Sequence, residues 1–246
     1  MSPSWRESLR IALCPDGVAF ARYSRGLRSK LLDKGTLPVD AGLAEEPWRP
    51  ALAAMSKVLQ AQTPRAADAT VVLSNHFVRY VLLKADARVS SRSEWLEYAS
   101  HRFEKTYGAR ARAWDVQFAE TGADHPRLAS AIDKALLDAI AAAFRGSRAR
   151  LKSVQPYLMV AFNQALPSIK HSSFWLVVHE PGRLLLGLVR DGFWRSVRGR
   201  QADANWLEAL PQTLQREGAL IAPEESSREV VVCAAGEDRL YQMVRA

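Results

Sequence analysis

Acidic, imidazole and thiol side chains stand beside small residues at three places where an apolar, strand-like run of the sequence ends. These places are Leu13-Cys14-Pro15-Asp16-Gly17, His179-Glu180-Pro181-Gly182 and Cys233-Ala234-Ala235-Gly236. Small residues allow backbone N–H groups to approach a phosphate, and nearby carboxylates hold the metal ion that accompanies it. Phosphate and metal binding are therefore the chemistry for which these segments have to be assessed.

The residue types at these places favour turns over catalysis. Asp16-Gly17 is typical of a tight turn, and Pro15 has no backbone N–H to donate. His179 and Glu180 are neighbours on a predicted strand and point to opposite faces, so they do not easily share one metal ion. We interpret them as a solvated strand end, and Cys14 and Cys233 as thiols of the core. No catalytic residue and no metal site is predicted.

Other catalytic signatures are missing from the sequence. It has no Walker loop, no His-Glu-x-x-His helix, no Gly-x-Ser-x-Gly elbow and no glycine-rich dinucleotide turn after a strand. The histidines are scattered over loops, strand ends and one helix, where surface or capping roles are expected. They are His76, His101, His125, His171 and His179.

Charge permits several kinds of partner without selecting one. The 246 residues include 34 Lys and Arg against 26 Asp and Glu, which gives a net charge of +8. Four cations lie between Arg145 and Lys152, and Arg190, Arg195, Arg198 and Arg200 lie in or beside a predicted strand meander. Nucleic-acid binding calls for cations and stacking aromatics on one face. The alternation around Phe193 distributes them over both faces, which favours solvated charge at a sheet edge.

The elements that position these segments form a repeated pattern. Strands are predicted over 9–13, 18–23 and 31–39, and a second meander over 174–179, 184–189 and 193–197 has a hairpin signal at Asp191-Gly192. Each meander is followed by a helix and an apolar strand. The second copy has a helix over 204–220, in which Pro211 causes a kink or begins a second segment, and then a buried strand over 229–233.

A further helix and a further strand are predicted between the two copies. Ser91 and Glu94 form a capping-box pattern at the start of a helix that ends at Tyr107, and Trp114 to Phe118 alternate as a half-buried strand. Alternating strands and helices predict an α/β fold. No uncharged apolar stretch reaches the length of about 18 residues that a membrane span requires, so a reduced, cytoplasmic protein is expected.

This duplicated pattern resembles the actin-like ATPase superfamily, and in detail the type IV pilus assembly protein PilM and the cytoplasmic part of the type II secretion protein GspL. The resemblance implies a two-lobed, ribonuclease H-like α/β fold. The first lobe would be 1–170, with an inserted subdomain at about 89–118, and a truncated second lobe would be 171–246.

The same resemblance implies that the nucleotide loops are degenerate. The family's first phosphate loop carries an aspartate where this chain has Cys14, followed here by Pro15, Asp16 and Gly17. In the second loop His179 replaces the carboxylate and only Gly182 is flexible, and Ala234-Ala235-Gly236 stand where the family has its adenosine-binding glycines. A pseudo-ATPase without a nucleotide cofactor is expected.

The resemblance also implies the partner. In the PilM family the cytoplasmic segment of the inner-membrane protein PilN lies beside the inserted subdomain. Since Trp95, Ala99 and Phe103 share the inner face of the 90–107 helix, the partner-binding residues are expected on its other side and at the neighbouring strand. They are Arg92, Tyr98, Arg102, Lys105 and Trp114. The chain would be a cytoplasmic scaffold, peripheral at the inner membrane, that contacts other pilus or secretion proteins and no nucleic acid.

Two alternatives stay open at this point. The first is an active ATPase or small-molecule kinase that draws its acidic residues from other positions, such as Asp16 or Asp191. The second is a basic nucleic-acid-binding protein. The sequence does not identify the partner, the machine or the oligomeric state.

Overall fold

The structure is a computed structural model that describes residues 6–24, 26, 29–40, 46–63, 66–86, 88–122, 124–221 and 229–234. Its strands are β1 (Glu7–Cys14), β2 (Gly17–Tyr23), β3 (Leu31–Pro38), β4 (Ala67–Leu73), β5 (Val78–Leu83), β6 (Trp114–Phe118), β7 (Arg127–Asp133), β8 (Ala149–Pro156), β9 (Phe174–Glu180), β10 (Arg183–Arg190), β11 (Phe193–Arg200) and β12 (Val230–Ala234). Its α-helices are α1 (Arg49–Gln62), α2 (Arg92–Tyr107), α3 (Lys134–Arg145), α4 (Tyr157–Ala165) and α5 (Trp206–Ile221).

The chain forms two compact units. Of the described residues, one unit comprises those up to Val78 and those of Asp133–Val160, and the other comprises those of Arg79–Ile132 and Ala161–Ala234. The segment predicted as an insert therefore shares a compact unit with the second strand meander. The lobe boundary near residue 170 stays a prediction.

A five-stranded sheet in the order β3-β2-β1-β4-β8 organises the first unit. β1 pairs antiparallel with β2 and parallel with β4, and β4 pairs parallel with β8. Nearly every residue of β1 and β2 is buried or half-buried, as expected for central strands covered on both faces. α1 starts with Pro50 in its first turn, where the missing N–H would have no helical partner, and it buries Met55 and Leu59.

The second unit repeats this strand order in the four-stranded sheet β11-β10-β9-β12. β9 and β10 pair antiparallel, and β9 and β12 pair parallel, as their counterparts do in the first sheet. The β10–β11 turn has positive φ at both Asp191 (51°) and Gly192 (80°), which is the conformation of a type I′ hairpin. The predicted repetition of a meander is thus confirmed.

The segment predicted as an insert, 89–118, contributes α2 and β6, and the three-stranded sheet β5-β7-β6 that packs on α2 takes β5 and β7 from outside that range. The Ser91 side chain accepts a hydrogen bond from the Glu94 N–H, and Glu94 in turn accepts one from the Ser91 N–H, so the predicted capping box is present. Trp95, Ala99 and Phe103 are buried in the core, as expected. The Arg127 guanidinium lies 4.5 Å from the Trp95 ring centroid.

Two expectations about the chain after the second meander are wrong: β12 as a buried strand and Cys233 as a thiol of the core. β12 is an edge strand, so Val230 and Val232 are each 41% exposed and Cys233 is half-buried, whereas Cys14 is buried as predicted. α5 runs through Pro211 as one helix, so this proline begins no second segment. Within the described residues, no helix combines the length and the apolar character needed to span a membrane.

Candidate functional site

The first candidate loop is a minimal hairpin turn. Cys14 pairs directly with Gly17, so only Pro15 and Asp16 lie between β1 and β2. The Val39 N–H donates to the Asp16 carbonyl oxygen at 3.0 Å, which fixes the turn against the end of β3. Cys14, the last residue of β1 before the turn, is buried. A two-residue turn with proline at its first position presents few backbone donors to a phosphate.

The second candidate loop has the same construction. Glu180 pairs with Arg183, and Pro181-Gly182 forms the turn between β9 and β10. Gly182 has a φ of 74°, so proline followed by a left-handed glycine matches a type II turn. Both repeats thus place a proline, which has no N–H, first in the turn between their first two strands. Of these two missing donors, the sequence analysis predicts only the one at Pro15.

The interpretation of His179 and Glu180 as a solvated strand end is wrong. Glu180 is 4% exposed, and the His179 ring stacks on Trp206 with centroids 4.2 Å apart and planes inclined by 11°. Trp206 is the first residue of α5, so the start of this helix covers the end of β9. The end of β9 therefore carries an imidazole packed on an indole.

The third candidate loop is described only at its start. Ala234 is the last residue of β12, and Ala235 and Gly236 lie outside the described residues. Across the described ranges, no three His, Cys, Asp or Glu side chains come together in a group that could hold a metal ion. Of the acidic residues kept as alternatives, Asp16 and Asp191 each occupy a tight hairpin turn, in different compact units.

The predicted partner residues divide into two groups. Tyr98, Arg102 and Lys105 recur at spacings of four and three residues, which places them on one side of α2. Lys105 is exposed, and Arg102 is half-buried with an Nε atom that has no hydrogen-bond partner among the described residues. Tyr98 is half-buried and its ring centroid lies 5.8 Å from that of Trp95, so it also packs against the core.

Arg92 and Trp114 belong to the packing between α2 and β6. Arg92 forms an ion pair with Glu120, and its guanidinium lies 5.0 Å from the Phe118 ring centroid. Trp114 is half-buried, with its ring centroid 5.3 Å from that of Tyr107. The structure therefore brings Tyr98, Arg102 and Lys105 together on one side of α2. Arg92 and Trp114 instead make contacts that hold the sheet on the helix.

Hydrogen bonds keep the acidic groups around α2 ionised. Donation from the Ser91 backbone and from Ser90 lowers the pKa of Glu94. A hydrogen bond from Arg112 lowers the pKa of Glu104, and the guanidinium of Arg88 lowers the pKa of Asp86 to about 2. These carboxylates have local partners, whereas neither Arg102 nor Lys105 forms an ion pair within the part of the chain that the structure describes.

A cluster of arginines in the second unit was not predicted as a site. Arg198 and Arg200 were interpreted as solvated charges, but both form ion pairs with Glu217, whose side chain is fully buried. The Arg198 Nε lies 3.3 Å from Glu217 Oε2. A signal was present in the sequence, because Glu217 shares the apolar stripe of α5 with Leu210 and Leu214. A carboxylate on the buried face of a helix requires a cationic partner.

Comparison with known proteins gives the fold. No family model matches the chain, and no curated protein matches it by sequence. The α/β architecture with its repeated meander matches solved structures that have the actin-like ATPase fold. The fold class predicted from the sequence is thus confirmed.

Three solved structures carry this result. The cytoplasmic domain of EpsL, an inner-membrane component of the type II secretion system of Vibrio cholerae, matches with a TM-score of 0.61 at 11% identity, over 96% of this chain and 92% of that one. The PilM–PilN type IV pilus biogenesis complex matches with a TM-score of 0.65 at 15% identity, over 95% and 82%. A Bacteroides thetaiotaomicron protein with an actin-like ATPase fold and unknown function matches with 0.61 at 14%, over 97% and 86%.

Proposed function

We propose that this chain is a non-catalytic scaffold, similar to PilM and GspL, of a type IV pilus or a type II secretion-like assembly. It would lie at the cytoplasmic face of the inner membrane and bind the short cytoplasmic tail of a PilN-like membrane protein. The observation that carries the proposal is the fold, which matches the EpsL cytoplasmic domain and the PilM–PilN complex over more than nine-tenths of this chain.

The turn chemistry supports the non-catalytic part of the proposal. In the first hairpin Cys14 is buried and Pro15 lacks an N–H, and in the second His179 is stacked on Trp206. A phosphate needs converging N–H donors, and its metal needs carboxylates. Neither hairpin offers both.

The surface of α2 supports the partner part. Arg102 and Lys105 lie next to each other on one side of the helix, and β6 is an edge of its three-stranded sheet. An extended or helical tail has two ways to bind here: it adds to the strand edge or lies along the helix. Charge contacts with Arg102 and Lys105 would orient it.

A reconstituted membrane tests this proposal. A one-pass inner-membrane protein with a short cytoplasmic tail, chosen from the genes next to that of this chain, is placed in nanodiscs, and binding of the purified chain is measured by interferometry. We expect saturable binding that the double variant Arg102→Glu, Lys105→Glu weakens by about tenfold or more. The matched control is Arg145→Glu, Lys152→Glu, which reverses two exposed charges in the first unit and should leave binding unchanged.

The outcomes separate the two parts of the proposal. Absence of binding to the nanodisc would contradict the scaffold function. If both double variants bind with equal affinity, the binding surface does not include Arg102 and Lys105 of α2. Tyr98 is left unchanged because its packing on Trp95 would confound binding with stability.

A further inference from the structure

A cavity of about 520 Å³ lies within the second unit, lined by β5 and α2 on one side and by β10 and β11 on the other. Four arginines contribute to its lining: Arg79, Arg183, Arg198 and Arg200. The volume is within the range of sites that enclose a ligand or several side chains. Its residues on α2, Thr106 and Tyr107, are at the end of the helix, beyond the residues assigned above to the membrane protein's tail.

Like charges meet at this cavity. The pKa of Arg79 is lowered, first by burial and then by the positive charge of Arg183. The Arg183 Nε atom is buried and has no hydrogen-bond partner among the described residues. Arg198 and Arg200 also line the cavity, and both form ion pairs with Glu217. A lining in which neighbouring guanidinium groups repel one another attracts anions.

The position of Arg183 is fixed by a close approach to β11. A Cβ atom at Gly199 would lie 3.3 Å from the Arg183 Nη2 atom and 3.3 Å from the Leu185 side chain. The guanidinium therefore lies against the backbone of β11, at the rim of the cavity. A planar guanidinium held in this way presents its remaining N–H groups for bidentate binding of a carboxylate.

The cavity follows the edge of a strand. Val197 and Gly199 line it from one face of β11, and Arg198 and Arg200 line it from the other. In the described sheet β11 pairs only with β10, and β5, on the opposite wall, is likewise at an edge of its sheet. Open strand edges bind extended polypeptide through main-chain hydrogen bonds.

We propose that this cavity receives an extended acidic segment of a partner protein, whose backbone follows the edge of β11 and whose carboxylates face Arg79 and Arg183. Tyr107 and Leu185 form the apolar part of the wall, against which alternate side chains of the segment pack. The two strand edges favour a polypeptide over a small anion. The proposal rests on the proposed function only in that the partner is taken to be an assembly component.

A defined peptide tests the proposal without knowledge of the partner. A fluorescent peptide of about ten residues with alternating Glu and Val is titrated with the full chain, and anisotropy is measured. We expect saturable binding below about 1 mM that weakens as salt rises. Arg183→Gln should reduce the affinity by about tenfold or more, while Arg145→Gln, which removes an exposed charge elsewhere, should not. The peptide with Gln in place of Glu should not bind.

Any of three results would overturn the proposal: no saturable binding, equal binding of the Glu and Gln peptides, or unchanged affinity after Arg183→Gln. Displacement of the peptide by millimolar inorganic phosphate at constant ionic strength would also overturn it and assign the cavity to small anions. Peptide binding without nanodisc binding would contradict only the scaffold function. Nanodisc binding without peptide binding would contradict only this inference.

Discussion

At the scale of single residues, Glu217 is the side chain whose environment departs most from its type. Its carboxylate is fully buried, whereas the side chains of Arg198 and Arg200 remain 49% and 48% exposed. A charge that is buried without a partner costs much more free energy than one left in water. Removing Glu217 and removing the two arginines should therefore lower stability by different amounts. Removing the carboxylate leaves two cations that water can solvate. Removing both cations leaves a buried anion alone.

This asymmetry predicts an ordered series of stabilities. Arg198→Met with Arg200→Met should lower the free energy of unfolding by about 3–5 kcal/mol. Glu217→Met alone should cost about 1–2 kcal/mol, because the guanidinium groups regain water. Replacing all three with Met should recover most of the loss. Urea denaturation measures the series, and a triple variant as unstable as the double arginine variant would contradict the assignment of the loss to a buried unpaired charge.

At the scale of elements, α2 depends on the reciprocal bonds of its capping box. Glu94 accepts from the Ser90 and Ser91 N–H groups at 2.8 and 2.9 Å, and these bonds lower its pKa from the ordinary value of 4.5. A lowered pKa in the folded state means that the ionised form stabilises the fold. The contribution is fully present above pH 4.5 and is lost as the pH falls through the lowered value.

We therefore expect the first turn of α2 to open in acid before the rest of the helix. Amide hydrogen exchange of the first turn should lose protection as the pH falls below about 4, after correction for the intrinsic rate. Glu94→Gln should remove this pH dependence, and Ser91→Ala should lower stability by about 1 kcal/mol at neutral pH. Protection that falls equally in the Glu94→Gln protein would show that another group titrates.

The elements also show which parts of the structure are predictable from sequence. The capping box, the Asp191-Gly192 hairpin and the repeated meander were predicted correctly because each depends on residues within a few positions of one another. The burial of β12 was predicted wrongly, because an apolar strand has the same sequence pattern at the centre of a sheet and at its edge. The arginine cavity could not be predicted: Arg79 and Arg183 are distant in sequence, and only the tertiary fold brings them together.

At the scale of the whole molecule, the repeated sheet is the basis of the account. In both meanders the first two strands are joined by a two-residue turn that begins with proline, Pro15 in one and Pro181 in the other. Each of these prolines removes one backbone N–H from its turn. For this reason Cys14→Asp alone should not create a nucleotide site, because Pro15 would still lack its N–H.

Calorimetric titration with ATP and Mg²⁺ tests this central claim most directly. It is run on the wild-type chain and on Arg183→Gln, so that binding through the arginine cavity is distinguished from binding at the hairpins. The account predicts no saturable binding by either protein up to about 1 mM nucleotide. Saturable binding by both proteins with a Kd of about 100 μM or tighter, which corresponds to about 5.5 kcal/mol, would contradict it.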